Sequence, residues 1–174
     1  DTSVSGHEND YQLFSVSNGN VVVNNLTGLQ AGDYYFKLNA IDSNGDPAGG
    51  VNSATVHISV AKTNLSVAFD ESGQTKKSIV DAASGWSETA TATPINNDVK
   101  ITYSKVGGDI GLIDIDADTG AITYKGNGAY GKVKIRATAD DDSSTGNDNY
   151  NSAFIEKEIV VYAQVNGSVT PHAD

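Results

Sequence analysis

The sequence predicts an all-β fold built as an antiparallel β-sandwich preceded by a smaller or incomplete β-sandwich module. Three observations predict it. First, Lys132-Val133-Lys134-Ile135-Arg136-Ala137-Thr138-Ala139 alternates without error. Val133, Ile135, Ala137 and Ala139 fall on one side, and Lys132, Lys134, Arg136 and Thr138 on the other. A period of two means a strand with one dry and one wet face. Second, Asp118-Thr119-Gly120 ends one strand and Ile122-Thr123-Tyr124 starts the next, with the turn residues a hairpin requires. Third, hydrophobic residues make up only 38% of the chain and there are 18 glycines. That balance fits a thin, turn-rich sandwich with small side chains better than a helical core.

The elements follow in order. Residues 1–10 are polar and expected to be loose. Tyr11 to Val16 and Asn20 to Asn24 read as two short strands around the Ser17-Asn18-Gly19 turn. Leu26 to Asp33 introduces a stronger strand, in which Tyr34, Phe36, Leu38 and Ala40 alternate with Tyr35, Lys37 and Asn39. A turn follows at Asp42-Ser43-Asn44-Gly45-Asp46-Pro47. Then Ala54, Val56, Ile58 and Val60 alternate with Thr55, His57 and Ser59. Residues 1–61 thus hold four strands, where such a sandwich usually has about seven. Long unpaired edges aggregate, so three resolutions are open. The chain cuts a domain short, the segment packs sideways on the second domain, or a neighbouring chain donates the missing strand.

Ala61-Lys62-Thr63-Asn64 reads as a short linker, and residues 62–166 as the second domain. Leu65, Val67 and Phe69 alternate as its first strand, and Asp70 to Lys77 reads as a polar turn. Ser78 to Ser84 fits either a strand or a brief helical turn. Trp86 is the single tryptophan, Thr89 to Thr93 is β-favouring, and Pro94 to Asp98 makes a turn. Strands continue from Ile101 to Tyr162. Val165 to Asp174 is polar with Pro171, and residues 167–174 read as a tail or linker.

The order "ITYS … LIDIDADTGAITYKG … GKVKIRATADDD … DNYNSA … IEKEIVVY" resembles the bacterial Ig-like domains strung along large surface adhesins. In that family an "ID-x-x-TG-x-I" hairpin precedes a "G-x-V-x-I-x-ATA" strand, a "D-x-NY-x-x-A" segment and a final strand. Ile113, Asp114, Asp118, Gly120, Ile122, Ala137, Ala139, Asp148, Asn149, Tyr150 and Ala153 sit where that pattern wants them. The hairpin piece is shared with cadherin-like repeats. "LTGLQAGDYYFKLNAIDSNGD … ATVHISV" resembles the last strands of fibronectin-type or cadherin-like modules in the same adhesins. The resemblance implies an Ig-like sandwich over 62–166 and a partial fibronectin- or cadherin-like module over 1–61. It implies an extracellular, cell-surface place and neighbouring Ig-like modules or identical subunits as partners. No signal peptide and no initiating methionine are present, so the chain reads as a mature product or an excised fragment.

Charge and cysteine usage exclude several functions. The net charge is −11 and Arg136 is the single arginine. Phosphate binding rests on clustered Lys and Arg, so no nucleic acid or anionic lipid partner is expected. No apolar run approaches the roughly 20 residues of a membrane helix, so no membrane insertion is expected. Cysteine is absent, which excludes thiol chemistry and thiolate metal sites. A eukaryotic secreted Ig domain ordinarily carries a disulfide, whereas a bacterial, archaeal or phage surface protein often does without. The histidines are His7, His57 and His172, two in expected tails and one outward on a strand. No H-x-x-x-H pair, G-x-S-x-G elbow or phosphate loop occurs. The chain is therefore read as no enzyme.

The carboxylates are the strongest chemical signal. Asp42, Asn44 and Asp46 alternate like the start of a calcium loop, although Pro47 stands where an EF-hand has glycine and no glutamate occupies position twelve. Asp114, Asp116 and Asp118 also alternate, which places them on one face of a strand. Asp140-Asp141-Asp142 opens a loop that runs to Asp148. Calcium, which takes six to eight oxygens, is the candidate cofactor, and cadherin-like modules use such acidic loops at domain junctions. The competing reading is turn chemistry, since Asp and Asn side chains cap nearby backbone N–H groups. Three adjacent aspartates repel one another unless a cation or water screens them.

The aromatic residues carry a second reading. Trp86 and the 8 tyrosines could stack on sugar faces, making Trp86 a candidate glycan-binding residue. In the competing reading Tyr34, Tyr103 and Tyr124 complete the core. Asn25-Leu26-Thr27, Asn64-Leu65-Ser66 and Asn166-Gly167-Ser168 are N-glycan acceptor sequons. The expectation is a non-catalytic structural or adhesion module of a prokaryotic extracellular protein. The alternatives are a strand-complemented filament subunit, a carbohydrate-binding module, and a phage or virion decoration protein.

Overall fold

The computed structural model describes residues 5–46, 49, 53–94 and 97–164. The expected tail from Val165, the third sequon, Pro47 and the side chain of Thr27 lie outside the described residues, as does part of the Pro94 to Asp98 turn. Strands dominate, as the alternating patterns require, and the fold is all-β. Among the described residues no helix is long and apolar enough to cross a membrane. The chain divides into two compact units. One takes described residues of Asp1–Thr63 together with Asn147–Tyr150; the other takes Asn64–Gly146 and the described residues after Tyr150.

In the first unit β1 (Phe14–Ser17) and β2 (Asn20–Val23) form a hairpin with Phe14 opposite Val23. Its turn holds Asn18 at φ 51° and Gly19 at φ 78°. Two successive positive φ values match the twist of the flanking strands, which is why Asn-Gly suits the place. The strand was expected from Tyr11, but Asp10–Leu13 forms a 3-10 turn. The Asp10 carboxylate accepts the Tyr35 N–H at 2.7 Å, which holds that stretch out of the hairpin. β3 (Gly32–Asn39) pairs antiparallel with β4 (Ser53–Val60), placing Phe36 opposite Val56. Phe14 and Phe36 are the buried hydrophobic residues here, their rings stacked at 4.9 Å. Within the unit, β1-β2 and β3-β4 are two-stranded sheets.

The expected linker is partly strand. β5 (Thr63–Asn64) is extended, and the Thr63 N–H donates to the Asn149 carbonyl at 2.9 Å. The second unit begins with β6 (Ser66–Phe69). The expected polar turn stops early, because β7 (Thr75–Ser78) is a strand. Ser78 then caps a single turn of helix, α1 (Ile79–Ala82), its hydroxyl accepting the Asp81 N–H at 3.1 Å. The choice left open at Ser78 to Ser84 therefore falls to the helical turn.

β8 (Trp86–Ser87), β9 (Ala90–Thr93), β10 (Val99–Gly108), β11 (Ile113–Ile115), β12 (Ala121–Tyr124) and β13 (Gly131–Asp141) follow. β14 (Tyr150–Asn151) and β15 (Ala153–Tyr162) end the order. A four-stranded sheet runs β10-β13-β15-β7, a three-stranded sheet β11-β12-β8, and β6 pairs with β9. The dry faces of Val133, Ile135, Ala137, Ile159 and Val161 meet Phe69, Tyr103, Leu112, Ile113 and Ile122 in one core. Burying such branched side chains stabilises by roughly 1.5–3 kcal/mol each. Of the tyrosines expected inside, Tyr103 is buried and Tyr124 packs against the core, while Tyr34 meets Phe14 edge-on at 5.7 Å.

Candidate functional site

The acidic clusters are arranged by the turns that carry them. At Asp42 the carboxylate Oδ1 accepts the backbone N–H of Asn44 at 2.8 Å and of Asp46 at 3.0 Å. Asp42, Asn44 and Asp46 are thereby joined through one carboxylate and two backbone amides.

Asp114, Asp116 and Asp118 do not share a strand face, because β11 ends at Ile115 and the chain turns. Asp114 lies in the strand near two ammonium groups, Lys105 at 3.2 Å and Lys125 at 3.7 Å. The Lys105 hydrogen bond, chiefly, holds the Asp114 carboxyl below its ordinary range. Asp116 Oδ1 accepts the Asp118 N–H, the Thr119 N–H and the Thr119 hydroxyl at 3.1, 2.8 and 2.7 Å. These bonds, the hydroxyl first, favour the charged form and lower its pKa. Asp118 faces the Lys100 ammonium at 2.8 Å.

Asp140 and Asp141 are the last residues of β13, so their side chains leave on opposite faces. Asp140 Oδ1 accepts the Asp141 N–H at 2.9 Å. Asp142 Oδ1 accepts the Ser144 N–H at 2.9 Å, and that bond is the main reason its carboxyl is held low. Among the described residues no group of three or more His, Cys, Asp or Glu side chains is gathered as metal ligands.

Trp86 stands opposite Ile122 in the three-stranded sheet and packs half-buried against the core. Its indole N–H donates to Glu88 Oε1 at 3.0 Å, and the Lys77 ammonium lies 5.9 Å from its ring centre. Behind it lies a polar arrangement that sequence reasoning missed. The Lys157 ammonium donates to Glu88 Oε2 at 2.6 Å and to the Glu71 carbonyl at 2.9 Å. Both charged side chains are buried. The available signal was the dry row of β15, where Ile155, Lys157, Ile159 and Val161 place a lysine among apolar residues. Nothing in the sequence marked Glu88.

In the first unit the histidines meet one ring. The His57 ring stacks on Tyr35 at 4.4 Å, and His7 meets the same ring edge-on at 5.0 Å. His57 Nε2 lies 2.9 Å from Asp33 Oδ1, and that bond leads the causes that lower the Asp33 carboxyl. His7 Nδ1 lies 2.7 Å from Asp10 Oδ2. These groups tie the first 3-10 turn to β3 and β4.

No known family model matches the chain, and no curated protein matches it. Among solved structures it is similar to "Protocadherin Gamma B2 extracellular cadherin domains 3-6", at 14% identity and a TM-score of 0.38. That match covers 64% of this chain and 29% of the other. It is also similar to the protocadherin GammaB4 extracellular domain, at 13% identity and a TM-score of 0.40, over 85% of this chain and 25% of the other. The chain spans less than a third of either structure. The all-β assignment rests on the strands described above.

Proposed function

We propose that the chain is a non-catalytic structural and adhesion module of a prokaryotic extracellular protein. One observation carries this reading. The polar chemistry marked in the sequence is engaged in holding turns and strands. Asp42, Asp116 and Asp142 bond turn N–H groups, and Asp114 and Asp118 face lysines. Tandem sandwiches of this kind hold a binding tip away from a cell. Antibodies raised against the chain test the placement on intact cells of the source organism. Surface staining, removed by protease shaving, is the expected result. Staining only after lysis overturns it.

Calcium enters this reading as a competitor for the turn carboxylates and not as a requirement, because Asp42, Asp116, Asp140 and Asp142 already serve backbone amides and Asp114 and Asp118 serve lysines. The glycan reading draws less support, since Trp86 packs on the core with its N–H held by Glu88.

The filament reading has one observation in its favour. In the first unit Val16 and Ile41 are 58% and 63% exposed. They border a groove of about 760 Å³ with Leu38 and Ala54. Two-stranded sheets are marginal in water without further strands or packing. A strand from a neighbouring subunit would supply both. Light scattering across a dilution series tests it: a polymer that resists dilution supports the filament, and a monomer throughout removes it.

A further inference from the structure

Asparagine precedes glycine in the chain at Asn18, Asn44, Asn127 and Asn166. Glycine has no Cβ to shield its nitrogen, so in such a pair that nitrogen reaches the asparagine side chain. The glycine N–H gives up its proton and its nitrogen bonds to the asparagine Cγ. The side-chain nitrogen takes up a proton and leaves as ammonia. Water then opens the resulting succinimide at one of its two carbonyls, leaving aspartate or its β-linked isomer. The step consumes water alone and needs no oxidant, metal or enzyme.

Asn18, Asn44 and Asn127 lie among the described residues, and all three are exposed. The residues before them, Ser17, Ser43 and Gly126, are all small, so the bare chemistry differs little between the sites. What differs is how each glycine nitrogen is held. The Gly45 N–H donates to the Asp42 carbonyl at 3.1 Å, in the turn whose Asp42 carboxylate also holds the Asn44 and Asp46 amides. The Gly128 N–H donates to the Tyr124 hydroxyl at 2.9 Å, and that hydroxyl donates to the Ala129 carbonyl at 2.6 Å. The Tyr124 ring packs on the core, which anchors both bonds. The Gly19 N–H has no partner among the described residues.

Ring closure also requires the backbone to rotate until the glycine nitrogen faces Cγ. At Asn44 and Asn127 that rotation breaks the bonds just named. At Asn18 it opens only the end of the β1–β2 hairpin, a sheet of two strands. Such a hairpin is marginal in water, and local openings of this kind lie at the low end of the free-energy scale.

We infer that Asn18 is a self-modifying site, at which the folded chain converts Asn18-Gly19 to the aspartyl and β-linked aspartyl forms ahead of its other described Asn-Gly pairs. The β-linked product adds a backbone carbon to a two-residue turn. Loop length fixes hairpin register, so the pairing of Ser17 with Asn20 and of Val16 with Val21 is lost. The change brings a new carboxylate to the hairpin that carries the exposed Val16.

The test is incubation of the full chain in mildly alkaline buffer, folded and in urea, with peptide mapping by mass spectrometry. In the folded chain Asn18 should convert roughly five- to tenfold faster than Asn44 and Asn127, the factor that one net hydrogen bond supplies. In urea the three rates should converge. Tyr124→Phe keeps the ring and removes the hydroxyl that holds Gly128, so it should speed Asn127 by a similar factor and leave Asn18 unchanged. Conversion of Asn44 or Asn127 as fast as that of Asn18 in the folded parent overturns the assignment. So does an equal lead for Asn18 in urea, because the fold then plays no part in the order. A Tyr124→Phe chain with Asn127 as slow as in the parent overturns the hydrogen-bond origin of the protection.

Discussion

Lys157 and Glu88 meet at 2.6 Å with 4% and 6% of their side chains exposed, beside a core made of Ile, Val, Leu, Ala and aromatic rings. Desolvating two charges costs several kcal/mol, and the pair survives because its atoms are partnered. Glu88 holds Trp86 and Lys157; Lys157 holds Glu88 and the Glu71 carbonyl. Breaking it from one side leaves a buried charge alone. Lys157→Met or Glu88→Gln should each cost about 3–5 kcal/mol in urea unfolding, and the double variant Glu88→Leu with Lys157→Met should recover most of that loss. Single and double variants of equal stability would show that the pair is not coupled.

Gly120 is held at φ 68°, and a Cβ there would stand 2.2 Å from the Glu88 carbonyl and 3.1 Å from the Tyr103 ring. Gly120→Ala should cost more than about 2 kcal/mol, combining left-handed strain with the clash. At Gly111 a Cβ meets nothing within 4 Å, so Gly111→Ala should stay within about 0.5 kcal/mol. Urea midpoints of the two variants decide the matter.

Acid should destabilise the second unit through named carboxylates. Hydrogen bonds from Thr119, Ser144 and Arg136 lead the causes that lower Asp116, Asp142 and Glu156 respectively. A carboxyl depressed in the folded state contributes stability above its unfolded value, near pH 4, and loses it as pH falls through the folded value. Melting temperature should therefore drop below about pH 4. Asp116→Asn, which keeps an accepting oxygen and removes the titration, should make that drop shallower. At the alkaline end the signs agree with each other. The Asp118 bond raises Lys100, and burial raises Tyr103. Both contributions are present below about pH 10 and fade as pH rises further.

Asp42, Asp116 and Asp142 each accept turn N–H groups through Oδ1, the atom a cation would also take. Melting in EDTA and in millimolar calcium should therefore coincide. A calcium-dependent rise would follow from binding to the folded state alone, and would restore calcium as a structural component of the module.

Trp86 is the sole tryptophan, so its emission reports one place. With the indole N–H held by Glu88 and the ring against the core, soluble glycans should leave the emission unchanged. A saturable shift lost in Trp86→Phe would favour sugar recognition.

The strands were legible where both faces obeyed a period of two. β13 and the Asp118-Thr119-Gly120 hairpin are plain in the residues, because side-chain alternation and glycine's freedom at positive φ act locally. The turn role of Asp42 was legible for the same reason, as one of two readings. Lys157 was not, because an alternation rule sends a lysine to the wet face and only a distant partner reverses that. The pairing of β7 with β15 was hidden too, since Thr75 to Lys77 is polar on its own and becomes a strand against Ile159 to Val161.

The sequence by itself determined that this chain makes strands, where the Asn18-Gly19 and Asp118-Thr119-Gly120 turns fall, and that it has no thiol. Steric limits on the backbone and the two-sidedness of each strand settle those matters within a few residues. Only the tertiary structure decided that Lys157 reaches Glu88 across 69 positions. It also decided that Asn147–Tyr150 joins the first unit and that Asp116 and Asp142 serve turn amides while Asp114 and Asp118 face lysines. Those outcomes depend on groups far apart along the chain. Their meeting follows from burial of the whole core, which no local pattern encodes.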